Sequence, residues 1–447
     1  MNKEKVKTVM NNNGKWSSKF GFIMASAGSA IGLGNLWKFP YVASKNGGGL
    51  FLVVYVILAL AIGVPVLLAE LAVGRNGGKN AVDSCKAIDP KWGFAGGFGA
   101  VCSVLVLSFY SVVGGWVIKY FISCASSGIP DSGFFEEYSA RSAEPIMWQL
   151  GFILICSAVV VMGISGGIEK ASAVLLPVLL VFLIGIMIYI FTLPNASEGV
   201  KFFLLPDLSG DIPFSGIILS AMGQMFFSLS LGMGTLITYG SYLSKDSRLV
   251  SSTFIIVILD TVIAVIAGLV MIPAVFSFGL APDAGPGMIF STLPAVFSQM
   301  KGGRIIGAIM FFLILIAAVT SAISLIEVVA SFFMDRLKIK RIYAVLMTAG
   351  ITAVLGIPAS LSFGRLSDIG IFGMNIFELI SFAADNVIMP LGAIFICILV
   401  GRVWGVDNAA EEISNGGSLK FRGKKLWGFI LNYAAPAVII AVSIFRR

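Results

Sequence analysis

Two stretches decide the reading of this chain: Ala27-Gly28-Ser29-Ala30-Ile31-Gly32-Leu33-Gly34-Asn35 and Phe227-Ser228-Leu229-Ser230-Leu231-Gly232-Met233-Gly234. Each lies in the middle of a long apolar segment and packs small and hydroxyl residues against a Gly-x-Gly. Glycine inside a helix costs about 1 kcal/mol relative to alanine. Unwound backbone at membrane depth survives only where it is buried in protein or lines a cavity. Both stretches are therefore expected to leave the helix and to form one small polar site between them.

The composition around them is that of a polytopic membrane protein. Of 447 residues, 57% are hydrophobic and 12% charged, against about 25% charged in soluble domains. The net charge of +8 does not indicate a nucleic-acid partner, because the basic residues sit in short loops between apolar runs. The chain has no histidine, which excludes histidine-ligated metal or haem and histidine proton relays. Most of the five cysteines fall inside apolar runs, so no disulfide framework is expected. The basic segment 1–19 is read as an uncleaved tail.

A spanning helix needs about 20 apolar residues. Eleven runs qualify: 17–44, 48–74, 94–123, 146–164, 169–192, 213–242, 249–279, 303–335, 341–357, 370–401 and 427–445. Placing the N-terminus in the cytoplasm puts 21 of the 31 basic residues on the inner side, as the positive-inside rule asks. Residues 1–192 read as a tail and a first repeat of five spans, 193–401 as a second repeat, and 402–447 as a cytoplasmic loop with an eleventh span. A repeat of five spans starts its successor from the opposite face. Paired interruptions in such inverted halves point to a transport site. The loop 280–302, with Pro282, Gly285, Pro286, Gly287 and Pro294, reads as a re-entrant cap, with a short helix near 287–299.

Asn35 follows the first Gly-x-Gly, and Ser228 and Ser230 precede the second. In span eight, Ala317, Thr320, Ser321 and Ser324 share one helical face. Asp260 is the only ionisable residue in the centre of span seven. Hydroxyls, an amide, freed carbonyls and one carboxylate are the oxygen ligands a small hard cation takes. Freed amides at the same breaks would hold a substrate carboxylate. Intramembrane acids are costly, so Glu70, Asp260, Glu327 and Glu378 are each expected to have a partner or a task. Glu70 is expected to accept from the broken backbone, and Glu378 to face an outer vestibule. Tyr110 offers a hydroxyl beside Val106 and Val113. Together with Phe227, Met233 and Leu325 these valines would make an apolar pocket next to polar backbone, which suits a zwitterion with a hydrophobic side chain.

Almost the whole chain resembles the neurotransmitter:sodium symporter family, with its all-α LeuT-type fold of 5+5 inverted repeats, discontinuous helices one and six, and here an eleventh helix. The motifs are 27–41, Lys45-Asn46-Gly47-Gly48-Gly49, Glu70-Leu71-Ala72-Val73-Gly74-Arg75, Gly223-Gln224-Met225-Phe226-Phe227-Ser228-Leu229-Ser230, and Thr320-Ser321. Within the family the chain is most similar to bacterial eleven-span amino-acid transporters.

The resemblance implies a first sodium site at Ala30, Asn35, Ser228 and Asp260. It implies a second at Gly28, Ile31, Ala317, Thr320 and Ser321. Substrate would meet Ser29, Ala30, Leu33, Gly34, Val106, Tyr110, Val113, Phe227, Ser228, Ser230, Met233, Ser324 and Leu325, with Phe227 as the outer lid and Glu70 and Gln224 in support. Gating would fall to Lys38, Phe227 and Asp335, and to a Gly167–Pro177 motif that lets span five unwind. Ser381 stands where the family's outer-gate aspartate is expected, which puts that ion pair in question. The usual N-terminal arginine opposite Asp335 is missing, with Asn13 near its place and Lys15 or Lys19 as substitutes. Asp260 replaces a common asparagine and adds a fixed negative charge, so chloride is not required. Met233 replaces a common aromatic and suggests a tolerant pocket.

The function implied is sodium-coupled symport of neutral hydrophobic L-amino acids, aliphatic and aromatic. It would use two sodium ions, work by alternating access, and reside in a bacterial cytoplasmic membrane as a monomer or weak dimer. No enzyme is expected, since no catalytic constellation or nucleotide loop is present. Two rivals remain at this level. A proton-coupled carrier on the same fold would place a lysine or an acid where Thr320 and Ser321 stand. A non-transporting amino-acid sensor would need an output domain.

Overall fold

A computed structural model describes residues 14–131, 133–208, 212–279 and 288–445. The tail up to Asn13, with Lys3, Lys5 and Lys7, lies outside the described residues, as do Pro282, Gly285, Pro286 and Gly287 of the expected cap.

Among the described residues, eight helices are long and apolar enough to cross a membrane: Gly49–Gly77, Pro90–Ser126, Ala143–Val161, Ile164–Ile190, Leu249–Ser277, Gly303–Leu337, Arg341–Leu361 and Ile376–Ile413. The pair Lys19–Ala30 and Gly34–Lys45, bent by 51°, makes a ninth span. The other two expected spans are the pair Phe214–Ser228 and Thr235–Ser241 and the helical run from Lys424 to Phe445. Numbered in chain order, these are spans one to eleven. Both expected boundaries of span ten move, and its helix continues past 401 to Ile413. Residues 370–375 form a two-stranded hairpin, Gly370–Ile371 against Met374–Asn375. Span ten starts after it, at Ile376, where Asn375 and Glu378 exchange capping-box bonds.

Apolarity all round a helix means burial in protein or lipid, and the structure separates the two. In spans three and eight, 83% of the most apolar window is buried, against 28% in span five and 33% in span nine. Spans three and eight pack along each other at the centre. The hydroxyls they carry therefore face the interior. All five cysteines are buried and unpaired.

Both interruptions are shorter than the quoted stretches. In span one the helix runs through Ala30 and resumes as a π-turn at Gly34–Lys38. The break rests on Ile31, whose ψ of 100° is extended. In span six the helix runs through Ser228 and resumes at Thr235. Ser230, Gly232 and Gly234 take φ of 53°, 79° and 74°. That left-handed region is open to glycine and strained for serine, and such strain is typically held at functional sites.

Small residues let two backbones touch beside the second break. A Cβ on Gly74 of span two would run into the carbonyl of Ile237 in span six, and one on Gly240 would come within 2.8 Å of the Leu71 carbonyl. This seam joins Thr235–Ser241 to span two.

Candidate functional site

The two breaks face each other at the centre. Asp260 is fully buried and gathers the polar groups expected at the first ion site. Asn35 Nδ2 donates to Asp260 Oδ1 at 2.7 Å and to the Asp260 carbonyl at 3.1 Å. Ser228 Oγ lies 3.0 and 2.9 Å from the two carboxylate oxygens. The Asn35 side-chain carbonyl accepts from Gly32 N at 3.1 Å, which fixes the amide's orientation. Tyr55, which sequence reasoning did not single out, donates its hydroxyl to Asp260 Oδ2 at 3.2 Å.

The second group forms against span eight. Ser321 Oγ lies 3.2, 3.1 and 3.2 Å from the carbonyls of Gly28, Ser29 and Ile31. Thr320 Oγ1 lies 3.1 Å from the carbonyls of both Ile316 and Ala317. Gly28, Ile31, Ala317, Thr320 and Ser321 are thus brought together, all oxygen donors and none charged.

Between these groups lies a cavity of about 20 Å³, room for about one water-sized sphere. Its polar wall includes Ser29, Ala30, Gly32, Gly34 and Ser230, and its apolar wall Val106, Phe227, Met233 and Leu325. The Tyr110 hydroxyl stands at the boundary and accepts from Leu33 N at 3.0 Å. Ser324 bonds Ser29 Oγ at 2.7 Å, and Ser230 Oγ donates to the Ser29 carbonyl at 3.0 Å. Leu33 and Val113, also expected at substrate, line the vestibule above instead. Gly32 lines the cavity with the rest of the first break, and Ser321 lines it too, a role not expected for it.

Supporting residues meet the broken backbone. Glu70 Oε1 accepts from Gly232 N at 2.7 Å, and Gln224 Nε2 donates to the Gly34 carbonyl at 2.8 Å. Ser103 Oγ donates to the Met233 carbonyl at 2.7 Å.

The vestibule, about 520 Å³, opens on the face that span one reaches at Lys45. Phe227 and Tyr110 line both it and the central cavity, and so form the partition between them. Lys38 Nζ stands 4.1 Å from the Phe227 ring centroid. The outer ion pair doubted at Ser381 exists with another partner: Lys38 Nζ meets Asp385 Oδ2 at 3.1 Å. Asp385 lies in a π-turn, Ala383–Ile388, about one helical turn beyond Ser381 on the same face. Ser381 and Glu378 line the same vestibule.

The opposite face is closed by different contacts from those expected. Asp335 accepts from Asn80 N at 3.0 Å and Nδ2 at 2.8 Å. Among the described residues it pairs with neither Lys15 nor Lys19. Trp16 Nε1 donates to the Tyr239 carbonyl at 3.0 Å, and its ring packs edge-on against Phe22, Tyr239 and Tyr242. Glu169 accepts from Ser17 N and Ser17 Oγ, each at 2.7 Å, and from Ser18 Oγ at 2.8 Å. Glu169 ends the π-turn Ile164–Glu169 that contains Gly167, and Pro177 lies about two turns further along span five. Glu327 accepts from Tyr242 at 2.6 Å and pairs with Arg341. The signal for Glu169 was present: an acid beside Gly166-Gly167 at the end of an apolar span.

The Sodium:neurotransmitter symporter family model matches residues 13–140 and 137–446 of this chain. The chain belongs to that family. The sodium-dependent transporter YhdH of Bacillus subtilis (strain 168) is 39% identical over 96% of either chain. A sodium-dependent transporter of Haemophilus influenzae is 35% identical over 96% of this chain and 97% of its own. The crystal structure of MhsT in complex with L-phenylalanine superposes with a TM-score of 0.89 at 41% identity, covering 96% of this chain and 99% of that one. This symporter therefore has the LeuT-type fold expected from its motifs. It is a multi-span, sodium-dependent member of a family of transporters.

Proposed function

We propose that this symporter carries neutral hydrophobic L-amino acids, aliphatic and aromatic, into a bacterial cell across the cytoplasmic membrane, with its N-terminus inside and without need of chloride. The observation that carries the reading is the two-sided central cavity. One wall is broken backbone with serine hydroxyls and Tyr110, suited to an α-amino and α-carboxylate group. The other is Val106, Phe227, Met233 and Leu325, suited to an apolar side chain. MhsT, similar throughout, was crystallised with L-phenylalanine.

Two sodium ions are co-transported in this reading. Asp260, Asn35, Ser228 and the Ala30 carbonyl take one, beside the substrate carboxylate. The carbonyls of Gly28, Ile31 and Ala317, with Thr320 and Ser321, take the other. Asp260 supplies fixed negative charge where a chloride would otherwise be needed. Substrate and ions neutralise one another in a site that excludes water. One charge crossing 100 mV is worth about 2.3 kcal/mol, so two ions sustain a steep gradient. Entry widens the cavity by re-packing Phe227 and Met233. Exit opens the face held by Trp16, Asp335 and Glu169, with span five unwinding between Gly167 and Pro177.

The test is uptake of labelled leucine and tryptophan into proteoliposomes, with choline replacing sodium and gluconate replacing chloride. Loss of uptake in choline and no change in gluconate are expected. Uptake that persists in choline and follows an imposed proton gradient would establish the proton-coupled reading instead.

A further inference from the structure

We propose that a groove between spans two, seven and eleven seats an anionic phospholipid of the leaflet facing the N-terminal side. The groove, about 690 Å³, is separate from the transport path. Its apolar wall includes Leu60, Phe254 and Leu426, exposed by 44%, 43% and 66%. It runs from Leu60 to Leu68 along span two, about 12 Å at the rise of an α-helix, long enough for a good part of an acyl chain. Trp427 Nε1 donates to the Pro65 carbonyl at 3.0 Å, so the wall is pinned by a side chain rather than left to lipid disorder.

The basic rim separates this groove from ordinary lipid-facing surface. Arg248, at the start of span seven, and Lys420 and Arg422, in the loop before span eleven, line its mouth. No hydrogen bond or ion pair joins their side chains to another described residue. Neighbouring acids are already engaged. Glu412 is held by Arg75 at 2.8 Å and Lys245 at 2.9 Å, and Asp407 pairs with Lys424. Asp246 shares a neighbouring cavity with Arg248, without an ion pair between them, and counting it still leaves the rim positive. Three cations at the membrane surface over an apolar slot complement a phosphate diester carrying acyl chains, and basic pockets between spans on the cytoplasmic side favour anionic head groups. The proposed orientation is used only to name the leaflet. Transport itself is not assumed.

Native mass spectrometry of the full-length protein in mild detergent tests this, with phosphatidylglycerol and phosphatidylcholine added at equal concentration. Retention of phosphatidylglycerol about tenfold above phosphatidylcholine is expected from the electrostatic contribution of the rim. R248Q/K420Q/R422Q should abolish that preference. L60W, which fills the slot and keeps every cation, should lower phosphatidylglycerol retention severalfold and serves if the triple variant does not fold. Equal retention of the two lipids by the unmodified protein overturns the proposal, as does an unchanged preference in both variants. Displacement of phosphatidylglycerol by an equal concentration of glycerol 3-phosphate also overturns it, because the acyl slot would then contribute nothing.

Discussion

The side-chain amide of Asn35 reaches Asp260 twice, at 2.7 Å to the carboxylate and 3.1 Å to the backbone carbonyl. The break in span one is thereby tied to the middle of span seven, 225 residues away. The carboxylate accepts from Asn35, Ser228 and Tyr55 and has no cationic partner among the described residues.

Asp260→Asn removes the fixed charge and leaves the shape. Hydrogen bonds to a charged group contribute about 1.5–3 kcal/mol, so the sodium concentration for half-maximal uptake should rise at least about tenfold. Uptake should also fall severalfold when gluconate replaces chloride, unlike that of the unmodified protein. A variant indistinguishable in both measurements would remove Asp260 from the ion site.

Lys38 and Asp385 pair in the wall of the vestibule above Phe227. Their side chains are 24% and 9% exposed, so the pair is worth roughly 1 kcal/mol after screening. Asp385→Asn should slow uptake severalfold while substrate binding, read by scintillation proximity, is kept. K38D/D385K should recover part of the rate. Binding and uptake falling together would place the pair in the substrate site instead of the gate.

Met233 stands in the apolar wall of the central cavity. Replacing a thioether by a ring in a cavity of about 20 Å³ over-packs it by about 1–3 kcal/mol for the largest substrates. Met233→Phe should lower the ratio of tryptophan to leucine uptake by about tenfold or more. An unchanged ratio in competition assays would move size selection elsewhere.

Glu70 holds Gly232 N at 2.7 Å in a fully buried position. Glu70→Ala orphans that amide at a cost of about 1–3 kcal/mol and should lower the melting temperature in detergent. Glu70→Gln keeps an acceptor and should lie between. If alanine and glutamine variants melt together with the unmodified protein, the bond is not structural.

Much of the centre was legible because helix-breaking and polar residues in apolar runs have few uses. Asn35, Ser228, Asp260, Thr320 and Ser321 announced themselves in this way, and they do converge. The breaks were located to within a few residues, but the residue that bends span one is Ile31, in an extended conformation no triplet of glycines signals. Asp385 was missed because the resemblance pointed to Ser381, and Asp385 lies about one turn further along the same helical face, where both residues line the vestibule. The partners of Asp335 and Glu169 were missed because Asn80, Ser17 and Ser18 meet them across more than 150 residues of chain. Tyr55 looked like one more aromatic in an apolar run.

The glycine seam between spans two and six bears on direction. Gly74 and Gly240 bring main chain against main chain, and such a join has no rotamers with which to yield. The N-terminal half of span one is held by side chains instead, Ser17 and Ser18 on Glu169 and Gly28 against Thr320. The two segments thus differ in how they are held: Thr235–Ser241 by main chain against main chain, Lys19–Ala30 by side chains. In the proposed exit step the segment that moves is Lys19–Ala30, which carries the Gly28 carbonyl proposed for the second ion. Letting go of that ion and moving that segment are then the same mechanical event.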